Sequence, residues 1–147
     1  MRLITFIFLL SLGLSCTSTK NATMKSGKLN GTWVPIKQEF GGTSLPKAAF
    51  EKQKLILIDS TYTLHAESID KGVVKYSGDK MDIYGKEGVN TGKHFTAIYK
   101  YENLATGQAG GQLTICYNLK GDSYPETFDT RGNPMYFLSV FNKEMIK

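Results

Sequence analysis

The chain has 147 residues, of which 21% are charged and 41% are hydrophobic, and its formal net charge is +5. This composition is typical of a folded globular chain rather than a disordered one, and the length fits one domain far better than a two-domain enzyme. The chain has only two His and two Cys, a composition that does not favour a His/Cys metal cluster. We therefore predict neither a metal nor a cofactor.

The first fifteen residues have the charge and hydropathy order of a secretory signal. Arg2 precedes an apolar run from Leu3 to Leu14, as in signal peptides. The run is shorter than the roughly 20 apolar residues that cross a bilayer as a permanent helix. We predict a cleaved signal peptide over residues 1–15. A buried N-terminal helix of a cytosolic protein is the less favoured alternative.

The end of this segment, Leu12-Gly13-Leu14-Ser15-Cys16, resembles a bacterial lipobox. In that family of signals the Cys is acylated and becomes the new N-terminus, and Ser15 fits the small residue that precedes it. The resemblance implies lipidation of Cys16, and several acyl chains anchor a protein stably because each buried methylene contributes about 0.8 kcal/mol. The alternative is a soluble secreted protein with an ordinary signal.

Residues 16–28 are rich in Ser, Thr, Lys, Asn and Gly and show no apolar periodicity. Such a composition is typical of a flexible tether. No acidic run follows Cys16, which favours a lipoprotein of the cell envelope that faces the periplasm over one that is exported to the surface.

From Leu29 onward, short apolar runs are separated by Gly, Asp, Asn and Pro. This pattern predicts eight strands: Thr32–Phe40, Lys54–Asp59, Thr61–Glu67, Gly72–Ser77, Lys80–Tyr84, His94–Glu102, Gln112–Leu119 and Met135–Asn142. The period of two is clearest in the sets Phe95, Ala97, Tyr99, Tyr101 and Leu113, Ile115, Tyr117, Leu119. One short helix is predicted around Lys47–Gln53, since Pro46 is well suited to start it.

Eight closely spaced strands with one short helix predict an all-β domain over residues 29–147, either an eight-stranded antiparallel barrel or a sandwich. Closure into a barrel removes the sheet edges that invite aggregation. A barrel of this size holds only side chains or one small ligand.

A motif at the start of the first predicted strand, Gly31-Thr32-Trp33, is similar to the G-x-W motif of lipocalins and related calycin barrels. The resemblance implies that Trp33 packs across the closed end of a barrel, beneath a basic residue from the last strand. Lys143 is the nearest candidate for that residue.

A wider pattern resembles a lipocalin-like domain family of unknown function from bacterial envelope and secreted proteins. It is carried by the following segments: Leu29-x-Gly31-x-Trp33, Glu39-x-Gly41-Gly42-x-x-Leu45-Pro46, Tyr99, Leu113-Thr114-Ile115-Cys116-Tyr117, Pro125-x-x-Phe128 and Leu138-x-Val140. The structural signature residues are Gly31, Trp33, Cys116, Pro125 and Phe128, and Tyr124 stands where that family has Arg. The resemblance implies a lipocalin-like barrel and brings no established activity.

Three carboxylates are the only candidates for acid–base chemistry that the sequence suggests. Glu126 and Asp129 are three residues apart, with Asp122 upstream, and paired carboxylates can act as acid and base when their environments split their pKa values. The segment is full of turn residues, where acids are usually solvated. We predict no catalytic residue and a non-enzymatic protein.

The remaining polar candidates are isolated. His65 and His94 lack the further ligands that a metal needs, and His65 is expected on the outer face of its strand. Cys116 is expected to be a small buried hydrophobe, although a disulfide with Cys16 is conceivable in an oxidising compartment.

The distribution of charge and the aromatic content indicate which kinds of partner the protein can bind. Arg occurs only at Arg2 and Arg131, and the lysines are spread along the chain, which is unlike a nucleic-acid-binding face. Aromatic residues make up 12% of the chain and can line an apolar pocket or simply fill the core. Two hypotheses follow: a lipid-anchored envelope barrel that binds a small apolar ligand or an envelope component, or a filled barrel that binds a protein partner. A cavity inside the barrel would favour the first.

Overall fold

The computed structural model describes residues 26–104 and 110–145. The predicted signal peptide, Cys16 and most of the predicted tether lie outside the described residues. The described ranges contain two short 3₁₀ helices, Ser26–Leu29 and Lys47–Ala49, and nine strands. The strands are β1 Gly31–Phe40, β2 Thr43–Ser44, β3 Lys54–Ile58, β4 Thr61–His65, β5 Ile69–Ser77, β6 Lys80–Glu87, β7 His94–Glu102, β8 Gln112–Asn118 and β9 Tyr136–Lys143.

The strands close into an eight-stranded antiparallel barrel. Strands β3 to β9 pair each with the next, and β1 pairs with both β3 and β9. The short β2 pairs only with the end of β1. Every barrel strand therefore has two neighbours, which leaves no open edge among them. The closed barrel confirms the predicted fold class and excludes the sandwich.

The eight predicted strands coincide with the barrel strands to within three residues at each end. The largest differences lie at β5, which begins at Ile69 rather than Gly72, and at β6, which extends to Glu87 rather than Tyr84. The predicted helix over Lys47–Gln53 is wrong in length: only the 3₁₀ helix Lys47–Ala49 forms. Phe50, with φ −137° and a buried side chain, leaves the helical conformation there.

The period of two divides the strands into an inner and an outer face, as predicted. Ala97 and Tyr99 of β7, like Leu113 and Ile115 of β8, are buried in the interior cluster. A second, smaller cluster lies on the outer face, where Tyr124 and Phe128 of the β8–β9 connection pack against three buried residues. These are Ile98, Cys116 and Leu138.

The end of the barrel at which β1 begins is sealed around Trp33. The Trp33 side chain is 0% exposed, and its Nε1 donates a hydrogen bond of 2.9 Å to the carbonyl of Leu29 in the first 3₁₀ helix. The Lys143 ammonium lies 5.4 Å from the centroid of the Trp33 ring. At Gly31, where φ is +140°, a Cβ would come within 2.6 Å of Lys143 Cε. Glycine at this position therefore leaves room for the Lys143 side chain. Lys143, the nearest basic candidate in the sequence, thus lies over the Trp33 ring, and it is the last residue of β9.

Candidate functional site

The interior of the barrel contains a cavity of about 560 Å³. This volume lies within the range of about 300–1,000 Å³ that is typical of small-ligand sites. The walls are mainly aliphatic and aromatic side chains, and those on the buried side include Leu57, Val74, Met81, Ile83, Ile115 and Phe141. The barrel thus has room for one small, mainly apolar molecule.

The cavity opens at the end of the barrel opposite Trp33. Two exposed residues line it, Lys93 from the β6–β7 connection and Met135 from the β8–β9 connection. Both connections lie at the end where β1 finishes, because antiparallel strands place alternate connections at opposite ends. We call this the open end.

A cluster of polar groups lines one side of the cavity near the open end. Asp70 points inward from β5 and is only 3% exposed. Its Oδ2 accepts hydrogen bonds from the Tyr62 hydroxyl at 3.0 Å and from Asn90 Nδ2 at 2.9 Å, and its Oδ1 accepts one from the Asn90 backbone N–H at 3.0 Å. The Lys93 ammonium donates to Asn90 Oδ1 at 3.3 Å. Burial, and then the hydrogen bond to Asp70, raise the pKa of Tyr62 above its ordinary value.

Two glycines make this cluster possible. A Cβ at Gly72 would come within 2.6 Å of Cε1 of the Tyr62 ring, and a Cβ at Gly85 would collide with the backbone of Asn90. The two glycines face each other across β5 and β6, beside a register shift at Lys71 and Gly72. Because neither glycine has a side chain, Tyr62 and Asn90 can approach Asp70 closely enough to donate hydrogen bonds to it.

The sequence contains a weak signal for Asp70 that the strand prediction missed. Asp70 is two residues before Gly72 and four before Val74, so it is in phase with the inward face of β5. A charged residue at an inward position is expected to be paired or functional. Asn90 and Lys93 lie in a polar connection without periodicity, and nothing in their pattern indicates that they meet Asp70.

The signature residues form two groups away from the cavity. Gly31 and Trp33 seal the closed end, whereas Cys116 and Phe128 meet on the outer face, where Pro125 is also buried. Cys116 is a free thiol with 0% exposure. Burial, with smaller contributions from the charges of Glu39 and Asp129, raises its pKa to about 11, so the thiol is poorly suited to nucleophilic chemistry.

Tyr124 and His94 meet at Asp82 on the outer face of the barrel. The Tyr124 hydroxyl donates a hydrogen bond of 2.6 Å to Asp82 Oδ2, and His94 Nε2 lies 2.8 Å from Asp82 Oδ1. Burial acts to raise the pKa of Asp82, but the hydrogen bonds from Tyr124 and His94 outweigh it and hold that pKa below its ordinary value. These contacts fix the β8–β9 connection to the wall of the barrel. His65 is partly buried in β4, on the face opposite the interior residues Tyr62 and Leu64.

The three candidate carboxylates are all exposed and lie in the β8–β9 connection. Asp129 forms a salt bridge of 2.7 Å with Arg131, whose hydrogen bonds lower the pKa of Asp129 to about 2. Asp122 forms one of 2.9 Å with Lys120, and Glu126 is exposed. Among residues 26–104 and 110–145, no group of three His, Cys, Asp or Glu side chains is placed to hold a metal ion.

Comparisons with protein-family models, curated proteins and solved structures gave no match to this chain. None of the helices in the described part of the chain is long and apolar enough to span a bilayer.

Proposed function

We propose that this protein is a non-enzymatic, lipid-anchored protein of the cell envelope whose barrel binds one small, mainly apolar ligand. The observation that carries the ligand-binding part of the proposal is the cavity of about 560 Å³ inside the barrel. Protein interiors are normally packed as densely as organic crystals, and wall atoms around an empty space lose their dispersion contacts. A cavity of this size favours a ligand over a barrel filled with side chains that binds a protein partner.

The resemblance to lipocalin-like domains supports this proposal. The Trp33–Lys143 pair has the arrangement that the resemblance implies for the closed end. Burial of an alkyl chain contributes about 0.8 kcal/mol per methylene, so a short chain in the apolar part of the cavity offsets much of the cost of association.

The described part of the chain begins at the closed end, whereas the cavity opens at the other end. The 3₁₀ helix Ser26–Leu29 packs at the closed end, since Leu29 is 1% exposed and accepts the Trp33 hydrogen bond. We propose that a lipid on Cys16 anchors the protein through this end of the domain. Such an anchor leaves the open end free to take up ligand from the periplasm.

Two adjacent valines allow a matched test of ligand binding. Val74 lines the cavity, whereas Val73 is on the outer face of the same strand. We expect Val74→Phe to lower the affinity for a fluorescent apolar probe at least about tenfold, equivalent to about 1.4 kcal/mol, and Val73→Phe to leave it unchanged. Equal affinities of the two folded variants would contradict binding in the barrel.

The two cysteines provide the corresponding test of the anchor. We expect Cys16→Ala to move the protein from the membrane fraction to the soluble fraction, and Cys116→Ala to leave it in the membrane fraction. An unmodified mass at the N-terminus of the mature native protein would contradict the lipid anchor.

A further inference from the structure

We infer that the ligand is an amphiphile with a protonated amine head group, which binds to Asp70 while its apolar body occupies the cavity. The inference rests on the proposed function, since it names the chemistry of the molecule in the same cavity. It is carried by the position of Asp70 and by the kind of hydrogen-bond donors around it.

The cavity is amphipathic, and its polar groups are concentrated on one side. Tyr62, Asp70, Asn90 and Lys93 are contiguous, whereas most of the other lining residues are aliphatic or aromatic. Pockets of this kind orient a ligand through a few placed polar groups. A molecule that fills the cavity therefore places its polar part near the open end.

The carboxylate of Asp70 is hydrogen-bonded but forms no ion pair with a cation among residues 26–104 and 110–145. Its three hydrogen bonds come from neutral donors, the Tyr62 hydroxyl and the side chain and backbone of Asn90. None of the salt bridges found among the described residues involves Asp70. Because a charge beside apolar walls is screened far less than a charge in water, the site attracts a positive group.

The carboxylate also has capacity for one more donor. An ionised carboxylate offers about four acceptor sites, and donors in the described part of the chain use three of them. An ammonium group supplies both the missing positive charge and a hydrogen bond, and such charge-assisted hydrogen bonds are roughly twice as strong as neutral ones.

Lys93 is the obvious competing site, since it would bind an anionic head group. Lys93 is exposed and its ammonium bonds to Asn90 Oδ1 at 3.3 Å. Exposed charges contribute little because water screens them. An anionic head group at that position would also be repelled by Asp70, so the cationic head group is favoured.

The test compares octylamine, octanol and octanoate, which share one alkyl chain and differ in head group. Binding of each to the full-length protein is measured by native mass spectrometry near neutral pH. We expect octylamine to bind about tenfold more tightly than octanol, which is equivalent to about 1.4 kcal/mol, and octanoate to bind most weakly. Equal affinities, or a preference for octanoate, would overturn the inference while leaving the proposed function intact. If none of the three binds, the proposed function itself fails.

Substitutions at Asp70 and at a control residue then test whether Asp70 causes the preference for octylamine. We expect Asp70→Asn to reduce octylamine binding about tenfold and to leave octanol binding unchanged. Glu67→Gln removes the same charge from an exposed position in the β4–β5 connection and serves as the matched control. A loss of octylamine binding in Glu67→Gln but not in Asp70→Asn would show that general surface charge selects the amine and would overturn the inference.

A further pair of variants keeps the test decisive if Asp70→Asn does not fold. Tyr62→Phe removes one donor to Asp70 and keeps its charge, so the preference for octylamine should persist or increase. Lys93→Gln removes a positive charge from the same polar cluster, so the preference for octylamine should increase. Loss of the preference in folded Tyr62→Phe, or octanoate binding that depends on Lys93, would overturn the inference.

Discussion

The two ends of the barrel are formed by the same strands, but one end is packed shut and the other opens into a cavity. At the closed end, Gly31, Trp33 and Lys143 fit together with Leu29 so that the Trp33 side chain is 0% exposed. At the open end, the walls stay apart around a cavity, and a buried carboxylate is held by hydrogen bonds. The comparison teaches that close packing around Trp33, with its hydrogen bond to Leu29, fixes the closed end, whereas the open end combines empty space with a polar cluster that packing does not require.

The largest expected loss of stability comes from removing the Trp33 side chain at the closed end. Trp33→Ala removes the side chain that fills this end and that bonds to Leu29, and substitutions of this kind cost about 3–5 kcal/mol. The free energy of unfolding, measured with denaturant, should fall by that amount. Met135→Ala at the rim of the open end, where the side chain is 39% exposed, should cost less than about 1 kcal/mol. Similar losses in the two variants would contradict the contrast between the ends.

The next effect, in order of size, concerns the polar cluster at the open end. Asn90→Ala removes one of the three hydrogen bonds to Asp70 and leaves a buried acceptor less satisfied, which costs about 1–3 kcal/mol. Thr91→Ala, in the same connection, removes an exposed hydroxyl that bonds to the Gly88 carbonyl at 2.7 Å. We expect that control to change the free energy of unfolding by less than about 0.5 kcal/mol. Equal losses of stability in the two variants would contradict a specific contribution from the hydrogen bond to Asp70.

The comparison also shows which parts of the fold and of the candidate site can be predicted from the sequence. The strands follow from apolar alternation, whereas the closed end is expected only from the resemblance of Gly31-Thr32-Trp33 to the G-x-W motif of calycin barrels. The cavity does not follow, because inward residues such as Val74 and Ile115 have the same pattern whether they fill a core or line a pocket. Contacts between Asp70 and Asn90 depend on how a connection folds back, and no local pattern encodes that.

A smaller effect on stability is expected from pH at Asp82 on the outer face of the barrel. The pKa of Asp82 lies below its ordinary value of 3.8, so its ionised form stabilises the folded state. This stabilisation is fully present above the pKa of the unfolded chain and is lost as pH falls through the lower pKa of the folded state. Asp82→Asn should lose that part of the pH dependence, whereas Asp79→Asn, at an exposed turn, should retain it. The check is the free energy of unfolding measured from neutral pH down to below 3.8.

The smallest effect is expected inside the barrel at Tyr76. Its hydroxyl is buried and has no hydrogen-bond partner in the described part of the chain, and burial, with a lesser effect from Tyr99, raises its pKa to about 12. Tyr76→Phe should therefore be neutral or stabilise the protein by up to about 1 kcal/mol. Tyr99→Phe, which loses a hydrogen bond of 2.9 Å to the Gly78 carbonyl, should be destabilised by about 1 kcal/mol. A thermal melt of both variants decides between these signs.

The central claim, that the open end admits a ligand to the barrel, is tested most directly by native mass spectrometry of the protein purified from its own cells. We expect a fraction of the protein to carry one small molecule, and expect that fraction to disappear in Val74→Phe but not in Val73→Phe. A native protein that carries no bound molecule, and that takes up none of the alkyl probes when they are added, would contradict the claim.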